Sequence, residues 1–289
     1  MADPTADPTA DPTAGPALSE QVERVQRAFD AVADDYDQSG APWFGPIADR
    51  LAALLAVQAG EDVLDVGCGR GALTLPLSAA AGPTGSVTAV DLSSAMVEHT
   101  RAAAAAAGST VRVEQMDATR PTLPSGGFDV LAASLVLFFL PDPATALPRW
   151  ARLLRPGGRI GVSTFGAQDD VWRQVDALFA PHLPPGMLDP RTRGSASPFA
   201  SDEGVAALLS GAGFVAVETV CEPIALRLSD AEQWRAWTMG TGQRMMWGFV
   251  PEGERDGLFS EAARLLEQAR DGEWLVLHQD VRYTVARVP

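Results

Sequence analysis

The 289-residue chain has no lysine; all 22 of its basic residues are arginine. A Schiff-base enzyme, a pyridoxal phosphate enzyme and a P-loop phosphotransferase each need a lysine, so those classes are excluded. Cysteine is nearly as scarce. Cys68 and Cys221 alone make no disulfide scaffold, and a reducing cytoplasm is the expected location. Long apolar runs are missing too: no stretch of 18 exists, and the amino terminus lacks a basic-then-apolar signal pattern. Positive charge is in deficit, with a net charge of −15 and a pI near 4.5. Such a surface repels nucleic-acid phosphates and anionic membranes. The expected partner is a small molecule, met by a monomer or a homodimer.

What is present centres on Val63-Leu64-Asp65-Val66-Gly67-Cys68-Gly69-Arg70-Gly71. Val63, Leu64 and Val66 read as a buried parallel strand that breaks into a glycine turn, with a helix expected from Ala72. Glycines at alternate positions let the backbone pass close under a ligand. Such a turn at the carboxyl end of a strand is where doubly wound sheets bind nucleotides. Asp65, two residues before the first glycine, would repel a pyrophosphate, and G-x-G-x-G differs from the dinucleotide spacing. A ligand carrying an ammonium and a sulfonium would be attracted instead, and S-adenosylmethionine (SAM) is such a ligand. Cys68 reads either as a nucleophile or as a small residue that close packing tolerates; the latter is preferred.

A second buried strand, Val87-Thr88-Ala89-Val90-Asp91, ends in an acid placed to take two ribose hydroxyls. A third, Val111 to Gln115, leads to Asp117-Ala118, expected beside the adenine. Together with Val90-Asp91-Leu92-Ser93, Gln115-Met116-Asp117-Ala118, Phe128-Asp129-Val130 and Leu154-Arg155-Pro156-Gly157-Gly158, the glycine turn resembles the ordered motifs of class I SAM-dependent methyltransferases. These motifs cover about residues 60 to 165. The resemblance implies a doubly wound, mostly parallel seven-stranded α/β sheet with a helical lid. It implies SAM as cofactor, S-adenosylhomocysteine as product and no metal. The implied cofactor-binding residues are Asp65, Gly67, Cys68, Gly69, Gly71, Asp91, Leu92, Met96, Asp117, Ala118, Ser134 and Tyr36.

Four segments are expected. Residues 1–18 hold three Ala-Asp-Pro-Thr repeats, whose prolines forbid helix, and read as a disordered tail. Residues 19–58 form a helical segment, begun by Ser19 as N-cap and carrying Val22, Val25, Phe29 and Val32 at helical spacing. Its Phe29, Ala33 and Tyr36-Asp37 resemble the corresponding segment of ubiquinone- and menaquinone-biosynthesis methyltransferases, which implies that Tyr36 folds over the cofactor. A plain alternative makes Tyr36 a half-buried aromatic closing the first helix. Residues 59–166 make the cofactor-binding core. Residues 167–289 complete the sheet, with a helical insertion at about 229–270, a sixth strand ending at Pro223 and an antiparallel last strand from Trp274.

Acceptor specificity is expected in that insertion, where Trp234, Trp237, Met245 and Trp247 cluster as an apolar pocket requires. Filling the lid's own core is the alternative for the same residues. For a base, His99 reads as solvated helix surface and His278 as a strand residue away from the ligand edge. His182 is the histidine placed for catalysis, in a loop region that also holds Pro185 and Met187; Tyr36 is the other catalytic candidate. Methyl transfer needs no dedicated base, because a sulfonium is already an activated leaving group. Asp142 stands alone where metal-assisted catechol transfer would need clustered ligands. The combined expectation is methylation of a small, largely apolar acceptor, either a secondary metabolite or quinone-like. The alternatives are a SAM-assisted cyclisation, a non-catalytic SAM-binding protein and a NAD-dependent oxidoreductase.

Overall fold

The computed structural model describes residues 16–184 and 197–289. The Ala-Asp-Pro-Thr repeats, Pro185 and Met187 lie outside the described residues. Ten helices and eight strands alternate through the described chain. Helix α1 (Pro16–Val32) and α2 (Phe44–Leu55) precede β1 (Asp62–Val66), and α3 (Thr74–Ala81), β2 (Ser86–Asp91), α4 (Ser94–Ala106), β3 (Val111–Gln115) and β4 (Phe128–Ser134) follow. Next come α5 (Pro143–Leu153), β5 (Leu154–Gln168), α6 (Asp170–Ala177), α7 (Asp202–Gly211) and β6 (Val215–Leu228). The insertion supplies α8 (Ala231–Met239), α9 (Arg244–Phe249) and α10 (Arg255–Leu266), before β7 (Arg270–Asp271) and β8 (Trp274–Arg287).

The strands lie in the order β3-β2-β1-β4-β5-β8-β6, with the two-residue β7 paired only to β8. Strands β1 to β5 are mutually parallel, while β8 runs antiparallel between β5 and β6. Chain order reverses between β1 and β4, which makes a crevice outside their carboxyl ends. Val63, Leu64, Val130 and Leu131 are fully buried because helices cover both faces of the sheet. Side chains start several helices by accepting an orphan backbone N–H: Ser93 from Met96, Asp169 from Trp172, Ser201 from Gly204 and Asp230 from Gln233. An ion-pair network below the sheet joins Arg155 to Asp62 at 2.7 Å and to Asp129.

Four expectations need correction. Helix α1 starts at Pro16, so Ser19 lies within it; proline is favoured in a first turn. Helix α3 starts at Thr74, because the bend continues past Gly71. Strand β6 runs through Pro223 to Leu228: it is the sheet's edge strand, where a missing N–H is tolerated. His278 lies at the ligand edge, since antiparallel β8 begins there; Gln279 pairs with Gln168 at the carboxyl end of β5, and the His278 N–H donates to Asp169 Oδ2 at 2.5 Å.

Candidate functional site

A cleft opens at the strand-order reversal, lined by residues of α1 and of the ends of β1, β2 and β4. Its floor is Gly67, Gly69, Val90 and Asp91 from the ends of β1 and β2. Leu92, Met96 and Met116 to Thr119 form one side, and Ser134 to Val136 the other. The roof is apolar: Val22, Val25 and Phe29 of α1, then Tyr36, Phe44, Phe139 and Leu140.

The glycine turn is held down by Gly67 and Cys68 N–H groups donating to Val90 O at 2.7 and 3.0 Å. Two of its glycines have separate reasons to be glycine. At Gly67 (φ +72°) an added Cβ would lie 2.3 Å from Val136 Cγ2, so the β4 loop packs directly on the turn. At Gly69 (φ +54°) an added Cβ meets nothing within 4 Å, because that direction opens into the cleft. Facing it, Asp91 accepts the Gly69 N–H through Oδ2 and the Ser93 N–H through Oδ1, both at 2.9 Å. Burial still raises the Asp91 pKa, against those backbone donors, and nearby Asp30 raises it further. Asp30 itself takes the Ser93 hydroxyl at 2.5 Å and so ties α1 to the start of α4.

Asp65 sits apart from this lining. It is 1 % exposed, takes the Thr74 hydroxyl on Oδ2 at 2.6 Å, and leaves Oδ1 buried without a donor. Burial pushes its pKa up to about 7, with Thr74 opposing and Asp91 adding. The floor carries the Asp91 carboxyl, with Asp65 and Asp30 both close enough to interact with it. A cation entering such a site is attracted and an anion is repelled.

Ser134 shares a hydrogen bond with Ser163 at 2.9 Å, and Leu135 adopts φ +58° with its N–H donating to Ser163 O and Oγ. That left-handed residue turns the chain from β4 back over the cleft. On the roof, Tyr36 stacks on Phe44 at 4.7 Å and meets Phe29 edge-on at 6.1 Å. Burial and the nearby Asp37 and Asp91 raise its pKa, which keeps the phenol protonated at neutral pH. Arg70 pins the segment by donating to Ala33 O and Asp34 O at 2.7 and 2.8 Å.

The cleft brings together Tyr36, Gly67, Gly69, Asp91, Leu92, Met96, Asp117, Ala118 and Ser134. Cys68 does not line it: its thiol is buried with Ala89, Val97 and Val113 behind β2, and burial raises its pKa. Gly71 faces Thr100 instead. His182 lies in a turn after α6, outside the lining, as do Trp234, Trp237, Met245 and Trp247. The three tryptophans are buried in the main core, Trp234 and Trp247 against each other and Phe179 against Trp247. The apolar wall of this cleft comes from Val22, Val25, Phe29 and Phe139. Periodicity marks α1 as amphipathic, but only the tertiary arrangement shows that its apolar stripe covers a cleft. His99 is half-buried on α4, and its Nε2 meets Oδ1 of the exposed Asp34 at 3.0 Å.

Among the described residues no group of histidine, cysteine and acidic side chains could hold a metal, and no helix is long and apolar enough to cross a membrane. A family model described as a methyltransferase domain matches residues 63–158. The chain is 35 % identical over 271 residues to nocamycin O-methyltransferase of Saccharothrix syringae, covering 90 % of this chain and 97 % of the relative. It is 34 % identical over 172 residues to aklanonic acid methyltransferase DauC of Streptomyces sp. strain C5, covering 59 % and 78 %. A solved structure of phosphoethanolamine N-methyltransferase 2 from Haemonchus contortus, in complex with S-adenosyl-L-methionine, superposes with a TM-score of 0.55 at 16 % identity. That match covers 96 % of this chain and 61 % of the other.

Proposed function

Since the chain belongs to the SAM-dependent methyltransferases, we propose that it methylates an oxygen of a small, largely apolar secondary metabolite. SAM supplies the methyl group on a sulfonium that is already an activated leaving group. The observation that carries the reading is the pairing of an acidic floor around Asp91 with an apolar roof from α1. In this reading Asp91 takes the ribose hydroxyls and Asp117-Ala118 border the adenine. Asp65 offers its undonated oxygen, directly or through water, to the ammonium. Gly69 leaves room for the ligand's passage, and Tyr36 with Phe29 closes over it.

The roof supports the chemistry by alignment and exclusion of water, which suffices for methyl transfer to an acidic hydroxyl. No histidine lines the cleft among the described residues, which favours an acceptor oxygen acidic enough to lose its proton without a dedicated base. The O-methyltransferase relative, matched over nearly its whole length, supports oxygen as the methylated atom. Calorimetry with SAM, S-adenosylhomocysteine and NAD, followed by methyl-label transfer to apolar phenols, enols and carboxylic acids, tests the proposal. Binding of SAM with label entering an oxygen is the expected result; binding of NAD in preference to SAM overturns it.

A further inference from the structure

The lid's tryptophans differ in how their indole N–H groups are served. Trp247 donates to Thr238 Oγ1 at 3.0 Å and is complete. Trp237, 4 % exposed, and Trp172 of α6, 2 % exposed, each bury an indole N–H with no acceptor. Their rings pack edge to face with centroids 5.7 Å apart, and Trp43 touches both at 5.8 and 5.4 Å. Gln243 adds a third unserved atom. Its amide donates to Asp176 Oδ1 at 2.9 Å, which turns the carbonyl the other way, and there Oε1 is buried with no donor. Asp176 lies four residues after Trp172 on α6, so one helix face positions both groups.

Burying a polar group without a partner is destabilising, and native structures keep few such groups. Two unserved donors and an unserved acceptor on adjoining elements have no explanation in packing. Their place suggests one. A Cβ added to Gly242 would lie 3.7 Å from Phe139 Cζ, and Phe139 lines the cleft. Trp43 immediately precedes Phe44, another lining residue. The segments that carry Gln243 and pack on both indoles thus adjoin the apolar roof.

All three groups are neutral. An ionised carboxylate would satisfy the indoles but be repelled by the Gln243 carbonyl, whereas a carbonyl beside a hydroxyl supplies both an acceptor and a donor. We propose that Trp172, Trp237 and Gln243 bind the polar edge of the acceptor, a carbonyl flanked by a hydroxyl on an otherwise apolar skeleton. The inference rests on the methyl-transfer reading and specifies its acceptor. These three are specificity residues.

The test uses the full chain saturated with S-adenosylhomocysteine and titrated with 2-hydroxy-1-(2-naphthyl)ethanone, 2-acetonaphthone and 2-ethylnaphthalene. The hydroxyketone is expected to bind about tenfold or more tighter than the hydrocarbon, as two or more hydrogen bonds at roughly three- to tenfold each would give. Trp172→Phe, Trp237→Phe and Gln243→Met should each remove about three- to tenfold of that advantage while S-adenosylhomocysteine affinity holds. Replacing the Trp237 indole by benzothiophene, which keeps the ring shape and removes only the N–H, should give the same loss with no drop in melting temperature. An advantage absent from the unmodified protein, or surviving in all variants, overturns the inference. So does a loss that merely follows melting temperature in the benzothiophene variant. Failure of the unmodified protein to bind S-adenosylhomocysteine would instead overturn the methyl-transfer reading itself.

Discussion

Asp91 Oδ2 accepts the Gly69 N–H at 2.9 Å, so the carboxylate at the end of β2 fixes the glycine turn at the end of β1. One side chain thereby holds the cradle and, in the proposed function, the ribose. Asp91→Ala should weaken SAM binding by about 1.5–3 kcal/mol, the cost of losing hydrogen bonds to a charged group. Asp91→Asn keeps the shape and an acceptor oxygen and should lose less. Calorimetry on both variants checks this; unchanged affinity in Asp91→Ala would remove Asp91 from the site.

Gly67 and Val136 form a second such relationship, with two separable components. Gly67→Ala should be destabilising because its Cβ lies 2.3 Å from Val136 Cγ2, and again because φ is +72°. We expect a loss of about 1–3 kcal/mol in stability from the overpacking alone. Gly67→Ala combined with Val136→Ala should recover the steric part and leave the backbone strain. A double variant no more stable than the sum of the singles would show that the clash is relieved elsewhere.

The buried carboxyls impose a pH dependence on the free protein. Asp65 is pushed up to about 7 and Asp37 to about 6, both first by burial. Each binds a proton more readily folded than unfolded. Their contribution to stability is therefore complete below the unfolded value near 4 and lost as pH rises through 6 to 7. Melting temperature should fall over that window, less steeply in Asp65→Asn. A cofactor ammonium near Asp65 favours its ionised form, so SAM affinity should rise with pH to about 7 and then level. Asp65→Asn should flatten that rise; a rise that persists would assign the titration to another group.

The strand-end half of the cleft was legible because its determinants are local. Strand, glycine turn and terminal acid lie within single short stretches around Asp65 and Asp91, and their order implies a parallel sheet. Elements joined through distant contacts were not. His278 was misplaced because the antiparallel course of β8 brings its first residues to the edge where the parallel strands end. Cys68 is adjacent to two lining glycines, yet the backbone turn sends its thiol behind β2. The tryptophan cluster announced burial, but composition alone left wall and core both open. In α1 the apolar stripe was plain, while the cleft it covers is made by residues up to 119 positions away, from Val22 to Pro141.

Trp247 gives the last prediction, because it separates the lid's stability from the cleft's chemistry. It is 4 % exposed, packs edge-on to Phe179 at 5.0 Å, lies 6.0 Å from Trp234 and has its N–H satisfied by Thr238. Trp247 and these three neighbours are not among the cleft's lining residues. Trp247→Ala leaves a large cavity and should cost about 3–5 kcal/mol of stability. At a temperature where the variant is still folded, SAM affinity should stay within about twofold of the unmodified protein, since surface and core changes far from a site add independently. Turnover should decline only as the folded fraction does. Circular dichroism, calorimetry and label transfer on one preparation distinguish the cases. Loss of acceptor turnover in fully folded Trp247→Ala, with melting temperature unmoved, would instead assign Trp247 to the acceptor wall that the sequence suggests.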